Sequence, residues 1–270
     1  MLIQCDKFYQ SGGENHYTEW KHYLGDPGRS HYSQLSEFTS KNIKSLKVAW
    51  EYESKDYGQM QMNPIVIDTL LYGVSSALRV FALDARSGEE VWVFGDTLKT
   101  LFSTSRGVSY WESGNDKRIF YTKGADLWAL NAHTGQPIPS FGKGGKIDLR
   151  SGLHASAQDK FVISSTPGTI YKNLIIMPIR LSEGVGAAPG DVMAFDAITG
   201  ELAWSFHTLP RPGETGIETW GDPNISESPI VGAANNWAGM ALDQKREILF
   251  VPTGSASPDF YGALRPGKNL

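Results

Sequence analysis

The side chains that most often carry protein chemistry are thinly spread in this sequence. Its six histidines, His16, His22, His31, His133, His154 and His207, follow neither triad nor metal-ligand spacing and read as structural or solvated residues. The single cysteine, Cys5, permits no internal disulfide, and no Cys-x-x-Cys-His haem motif occurs. Arg106 is more informative, because Gly107 and Val108 follow it in an apolar run. That setting favours a guanidinium turned into a channel over one in a surface salt bridge, and its paired N–H donors suit a carboxylate. Ser165 and Thr166 precede Pro167 and by themselves read as an ordinary strand-end turn. By residue type alone, Trp237 reads as a core indole between packed elements.

Composition bounds the elements that must position these groups. The 270 residues make one large domain or two ordinary ones, and 40% hydrophobic against 20% charged residues supports a packed core. The 29 glycines, 14 prolines, 8 Trp, 11 Tyr and 12 Phe lean toward a turn-rich β protein. A net charge of −4 with interspersed signs leaves no electrostatic footprint for nucleic acid. No stretch reaches the roughly 18 apolar residues that span a bilayer.

One pattern recurs: Ala-Leu/Phe-Asp-x-x-Ser/Thr-Gly-x-x-x-Trp. It runs through Ala82, Asp84, Gly88 and Trp92, and again through Ala194, Asp196, Gly200 and Trp204. A weaker copy holds Ala129, Asn131 and Gly135, with Pro139 where the Trp should be. The unit reads as a hairpin. Asp or Asn accepts from turn N–H groups, Gly supplies a positive φ, and the Trp fills a gap between neighbouring sheets. Short strands are predicted over 62–68, 70–74, 78–84 and 90–94, then over 106–111, 118–123 and 126–131, then over 161–166, 173–179, 191–196 and 201–206. Four-stranded units repeated along a chain are propeller blades. At the ends, 45–52 reads as an orphan outer strand carrying Trp50, while 237–243 and 247–253 give the first half of a fourth blade. The expectation is an all-β, incomplete propeller of about three and a half blades, a fragment of a closed one.

Several segments resemble the pyrroloquinoline quinone (PQQ)-dependent dehydrogenases, nearest to the glucose and quinate type, whose propeller is eight-bladed. They are Trp20-x-x-Tyr23-x-Gly25-Asp26-Pro27-Gly28 with Tyr32-Ser33-x-Leu35, Arg106-Gly107-Val108-Ser109-Tyr110-Trp111, and Ser182-Glu183-Gly184 through Pro189-Gly190. Asn235-Asn236-Trp237-Ala238-Gly239-Met240 and the tail from Pro252 to Gly262 complete the set. The resemblance runs from Trp20 to Leu270 and defines a domain over 20–270, preceded by a leader over 1–19. Met1 to Cys5 also resembles the clipped end of a lipoprotein signal, which would anchor the chain to a membrane through a lipid on Cys5. The other reading is a leader with a free thiol.

PQQ is a flat tricarboxylate that needs an aromatic surface, positive charge and hydroxyls, and a divalent cation at its reactive carbonyl. The resemblance implies Trp237 as the floor under the ring and Arg106 as the contact to quinone or carboxylate oxygens. It implies Ser165 and Thr166 as carboxylate-binding hydroxyls and Glu183 as a cofactor or metal contact. Gln61 stands where many relatives carry a carboxylate. Thr253 and Ser255 lie where relatives place an oxygen ligand to Ca²⁺ (or Mg²⁺). The vicinal Cys-Cys pair of the alcohol-type members is missing from 73–78, which favours the sugar and polyol branch.

The implied activity is oxidation of a sugar, polyol or alcohol C–OH in the periplasm, with electrons passed to a quinone or a cytochrome. The implied base is an Asp in a later blade, with no equivalent segment before Leu270, so no catalytic residue is named. The alternative is a non-catalytic propeller scaffold built from the same repeats.

Overall fold

A computed structural model of the chain describes residues 19–96 and 104–269, so the leader and Cys5 lie outside the described residues, Glu19 excepted. The first sheet holds β1 (Ile65–Ile67), β2 (Leu70–Val74), β3 (Val80–Asp84) and β4 (Glu90–Phe94). The second holds β5 (Ser109–Ser113), β6 (Asp116–Lys123), β7 (Asp126–Asn131) and β8 (Lys146–Asp148). A two-residue strand, β9 (Val162–Ile163), then precedes β10 (Thr169–Tyr171) and β11 (Leu174–Met177). The short β12 (Arg180–Leu181) pairs back with β9, and β13 (Val192–Asp196) and β14 (Leu202–Phe206) complete the third sheet with β10 and β11. Two further pairs follow: β15 (Gly232–Ala233) with β18 (Ala256–Ser257), and β16 (Ala241–Asp243) with β17 (Ile248–Phe250). All of these ladders are antiparallel. Three four-stranded blades and part of a fourth are therefore present, an all-β partial propeller.

The repeat builds the same hairpin each time. Asp84 accepts from the N–H groups of Arg86 and Ser87, Asn131 from those of His133 and Thr134, and Asp196 from those of Ile198 and Thr199. Each turn closes on a glycine N–H donating to the carbonyl of that Asp or Asn, at 2.8 Å in all three. The first and third blades also share one register shift, after Ala82 and after Ala194.

The outer Trp of one blade docks on the turn of the next. Trp92 is 9% exposed and donates its indole N–H to the Ala132 carbonyl at 2.9 Å. It lies so close to Gly135 that a Cβ there would stand 2.5 Å from the ring. Trp50 repeats the contact one blade earlier, donating to the Ala85 carbonyl at 3.1 Å and covering Gly88, where a Cβ would meet its ring at 2.6 Å. Burying an aromatic of this size contributes on the order of 4 to 6 kcal/mol. The third joint lacks a Trp, and Ile147 and Phe141 cover Gly200 instead. The two larger apolar cores lie between blades, one joining the first and second sheets and one the second and third.

Four expected elements differ. Residues 46–54 form no ladder, and Ile43–Ser45 is a turn of 3₁₀ helix, so the strand expected over 45–52 is an extended segment held by Trp50 and Tyr52. The run 161–166 is not the first strand of the third blade. Pro167 has no N–H to donate to a ladder, and pairing resumes only at Thr169. Strand β5 begins at Ser109, so Arg106 precedes the ladder. The second blade has a fourth strand, β8, that the sequence pattern did not mark.

Candidate functional site

Four successive blades each enter their first strand through a short extended segment, and these segments carry the polar groups of the hub. Gln61 lies before β1, Arg106 before β5, Ser165 and Thr166 before β10, and Trp237 before β16. Backbone hydrogen bonds tie the segments side by side. Asn63 N–H donates to the Arg106 carbonyl at 2.9 Å, and Arg106 N–H donates to the Ser165 carbonyl at 2.8 Å. The Thr166 hydroxyl donates to the Trp237 carbonyl at 2.8 Å. Repetition of one fold position thus brings residues distant in sequence to one place.

A cavity of about 340 Å³ opens over these segments. Gln61, Arg106, Ser165, Glu183, Trp237 and Ser255 all line it. Arg106 donates through Nη1 to the hydroxyls of Ser165 and Thr166, both at 3.2 Å, and its guanidinium carbon lies 5.6 Å from the Trp237 ring centre. Ser165 is 5% and Thr166 1% exposed, while Trp237 keeps 49% of its surface open. Trp50, Trp92 and Trp111 are tied to the neighbouring blade through indole N–H bonds to the Ala85, Ala132 and Lys172 carbonyls. Trp237 presents its face to a cavity and has a cation over it. Thr166 acts from behind the lining, through Arg106 and the Trp237 carbonyl. Thr253 is exposed and does not line the cavity, so it stands apart from Glu183 and Ser255.

Thr104, Arg180, Asn235 and Asp259 also line the cavity, and the sequence did not single them out. Asp259 accepts from the Ser255 hydroxyl at 3.1 Å, and its N–H donates to the Glu183 carbonyl at 3.0 Å. Two carboxylates and a hydroxyl therefore face one space. No cluster of three or more His, Cys, Asp or Glu side chains able to hold a metal occurs among the described residues. The available signal for Asp259 was its place in the tail from Pro252 to Gly262. The Arg180 side chain forms no ion pair or hydrogen bond among the described residues, and it could be found only once β12 was seen to pair with β9, just before Ser165.

The class so defined is a partial β-propeller whose blade-entry segments line a polar cavity with an exposed indole. The model for the PQQ glucose/ethanol/alcohol dehydrogenase β-propeller domain matches residues 20–270, and the chain belongs to that family. It is 29% identical to the quinate/shikimate dehydrogenase (quinone) of Acinetobacter baylyi over 92% of this chain and 34% of that protein. It is 28% identical to the quinoprotein glucose dehydrogenase of Escherichia coli over 92% of this chain and 33% of that protein. The quinohemoprotein alcohol dehydrogenase of Comamonas testosteroni shares the fold, with a TM-score of 0.76, 23% identity and coverage of 94% of this chain and 38% of that one. The chain thus spans about a third of the length of the relatives it matches.

Proposed function

We propose that this chain supplies the PQQ-binding hub segments of a periplasmic dehydrogenase that oxidises a sugar, polyol or alcohol C–OH and passes electrons to a quinone or cytochrome. The observation that carries the reading is one constellation: a half-open indole, a guanidinium without a carboxylate partner and the buried Ser165 hydroxyl at one cavity, with the Thr166 hydroxyl bonded to the same guanidinium from behind the lining. These residues fit a flat polycarboxylate. The Trp237 face gives the ring a floor, and Arg106 gives its oxygens paired donors. Ser165 and Thr166 hold the guanidinium in place and, through their buried oxygens, keep water from competing for it. Held there, PQQ would supply the two-electron acceptor for oxidation of the substrate C–OH.

Glu183, Ser255 and Asp259 supply oxygen donors of the type that Ca²⁺ or Mg²⁺ takes, and the cofactor itself would complete the coordination. Anchoring through a lipid on Cys5 and the periplasmic setting belong to the same proposal and rest on the family resemblance. Among the described residues no helix is long and apolar enough to cross a membrane.

The test is titration of the chain with PQQ in the presence and absence of Ca²⁺, followed by quenching of tryptophan fluorescence. Saturable quenching that is lost in Trp237→Phe supports the proposal. A chain that folds but shows no saturable quenching under either condition overturns it and favours a scaffold built from these repeats.

A further inference from the structure

Arg29 lies in the segment that crosses the hub before the first blade, and its guanidinium is spent on the backbone beneath the candidate site. Nη1 donates to the Ala238 carbonyl at 3.3 Å. Nη2 reaches the Pro167 carbonyl at 3.4 Å and the Thr169 hydroxyl at 3.5 Å. Ala238 follows Trp237 in the chain, and Pro167 follows Thr166. The Tyr23 ring lies 5.0 Å from the guanidinium carbon, and Tyr23 in turn packs beside Gly107, next to Arg106. One side chain and its aromatic partner therefore touch the neighbours of Arg106, Thr166 and Trp237 together.

Two further observations single out this arrangement. Six of the chain's ten arginines form ion pairs among the described residues, but Arg29 pairs with no carboxylate there even though it is half-buried. A buried guanidinium usually needs a carboxylate unless its N–H groups are otherwise satisfied, and here carbonyls and a hydroxyl do that. Gly239 is left without a side chain where the guanidinium passes, because a Cβ there would stand 2.0 Å from Nη1. The turn after Trp237 is thus shaped around this one cation.

We infer that Arg29 is the positioning residue for Trp237. It clamps the 237–239 turn to the segment entering the third blade and so fixes the angle at which the indole faces the cavity. The inference concerns the site proposed above to bind PQQ, and it rests on that reading for its role in binding, though not for its geometry.

The experiment uses the chain labelled with 5-fluorotryptophan, read by ¹⁹F NMR, with the Trp237 line assigned by its loss in Trp237→Phe. In Arg29→Gln the Trp237 line is expected to move or broaden while the lines of the other tryptophans hold, and PQQ affinity should fall at least about tenfold. Arg29→Lys keeps the charge but not the fork of donors, and should give a smaller displacement of the same line. An unmoved Trp237 line in Arg29→Gln overturns the inference. If Arg29→Gln disturbs every line, Arg29→Lys decides: displacement of the Trp237 line alone supports the inference, and no displacement or a general one overturns it. Failure of the unsubstituted chain to bind PQQ sinks the cofactor reading and leaves the ¹⁹F result standing by itself.

Discussion

The guanidinium carbon of Arg106 lies 5.6 Å from the centre of the Trp237 ring, and Thr166 joins the two through one hydrogen bond to each. The three residues enter three successive blades, so their meeting is a property of the propeller and not of any local segment.

Arg106→Lys should therefore be far from neutral. An ammonium can satisfy the Ser165 or Thr166 hydroxyl, but it cannot also present a planar pair of donors to a carboxylate. Loss of one charge-assisted contact of about 1.5–3 kcal/mol corresponds to roughly ten- to a hundredfold in affinity. PQQ titration should show that loss with the unfolding midpoint nearly unchanged. A Lys variant that binds within twofold of the original would contradict the assignment.

The two kinds of tryptophan should separate cleanly in stability measurements. Trp92→Ala empties the joint between the first two blades and should cost about 3–5 kcal/mol by urea unfolding. Trp237→Ala removes a side chain that is 49% exposed and should cost far less. Gly135→Ala should approach the Trp92 effect, since a Cβ would stand 2.5 Å from the indole and φ is +69° there. Equal losses at Trp92 and Trp237 would show that the indole at the hub is structural after all.

The blades were legible because the hairpin is local: Asp84, Asn131 and Asp196 each cap their own turn within a few residues. What escaped was non-local. Strand β8 follows a detour in which Pro137 bridges Leu130 and the chain then turns through Phe141 before pairing, so it carries no repeat signal of its own. Residues 45–52 have the apolar pattern of a strand, but a ladder needs a neighbour, and none pairs with them among the described residues. At the hub, residue type alone favoured a core role for Trp237. Only its flanking residues pointed to the cavity. Asp259 and Arg180 reach the site through the pairing of β15 with β18 and of β9 with β12, pairs of two residues each that periodicity cannot register.

Asp191 gives a pH dependence with a definite sign. It is 2% exposed, and burial raises its carboxyl above the usual range, opposed by the nearby His207 and Arg211 and by the Thr208 N–H, with Glu214 adding to the rise. Arg211 stands 3.9 Å away, and His207 is itself 2.8 Å from Glu214. A carboxyl with a raised folded-state pKa binds its proton more tightly in the native protein than in the unfolded chain. Its contribution to stability is therefore greatest at low pH and falls as pH rises from the unfolded value through the folded one. Asp191→Asn removes that titration. Urea unfolding between pH 4 and pH 8 should show the variant gaining on the original as pH rises, and parallel curves would refute this.

Removal of divalent cation should act through the acid side of the cavity. Glu183 and Asp259 face the same space, Ser255 bridges to Asp259 at 3.1 Å, and the Asp259 N–H holds the Glu183 carbonyl. Two carboxylates and one hydroxyl make an incomplete oxygen shell, so Ca²⁺ alone should bind weakly and much more tightly once PQQ oxygens join it. The two affinities must then be coupled by the same factor in either order of addition. Asp259→Asn should weaken that coupling by at least about tenfold while leaving cation-free PQQ binding to Arg106 and Trp237 almost unchanged. Calorimetric titration of PQQ with and without Ca²⁺ measures both terms, and coupling that survives intact in Asp259→Asn would place the cation elsewhere.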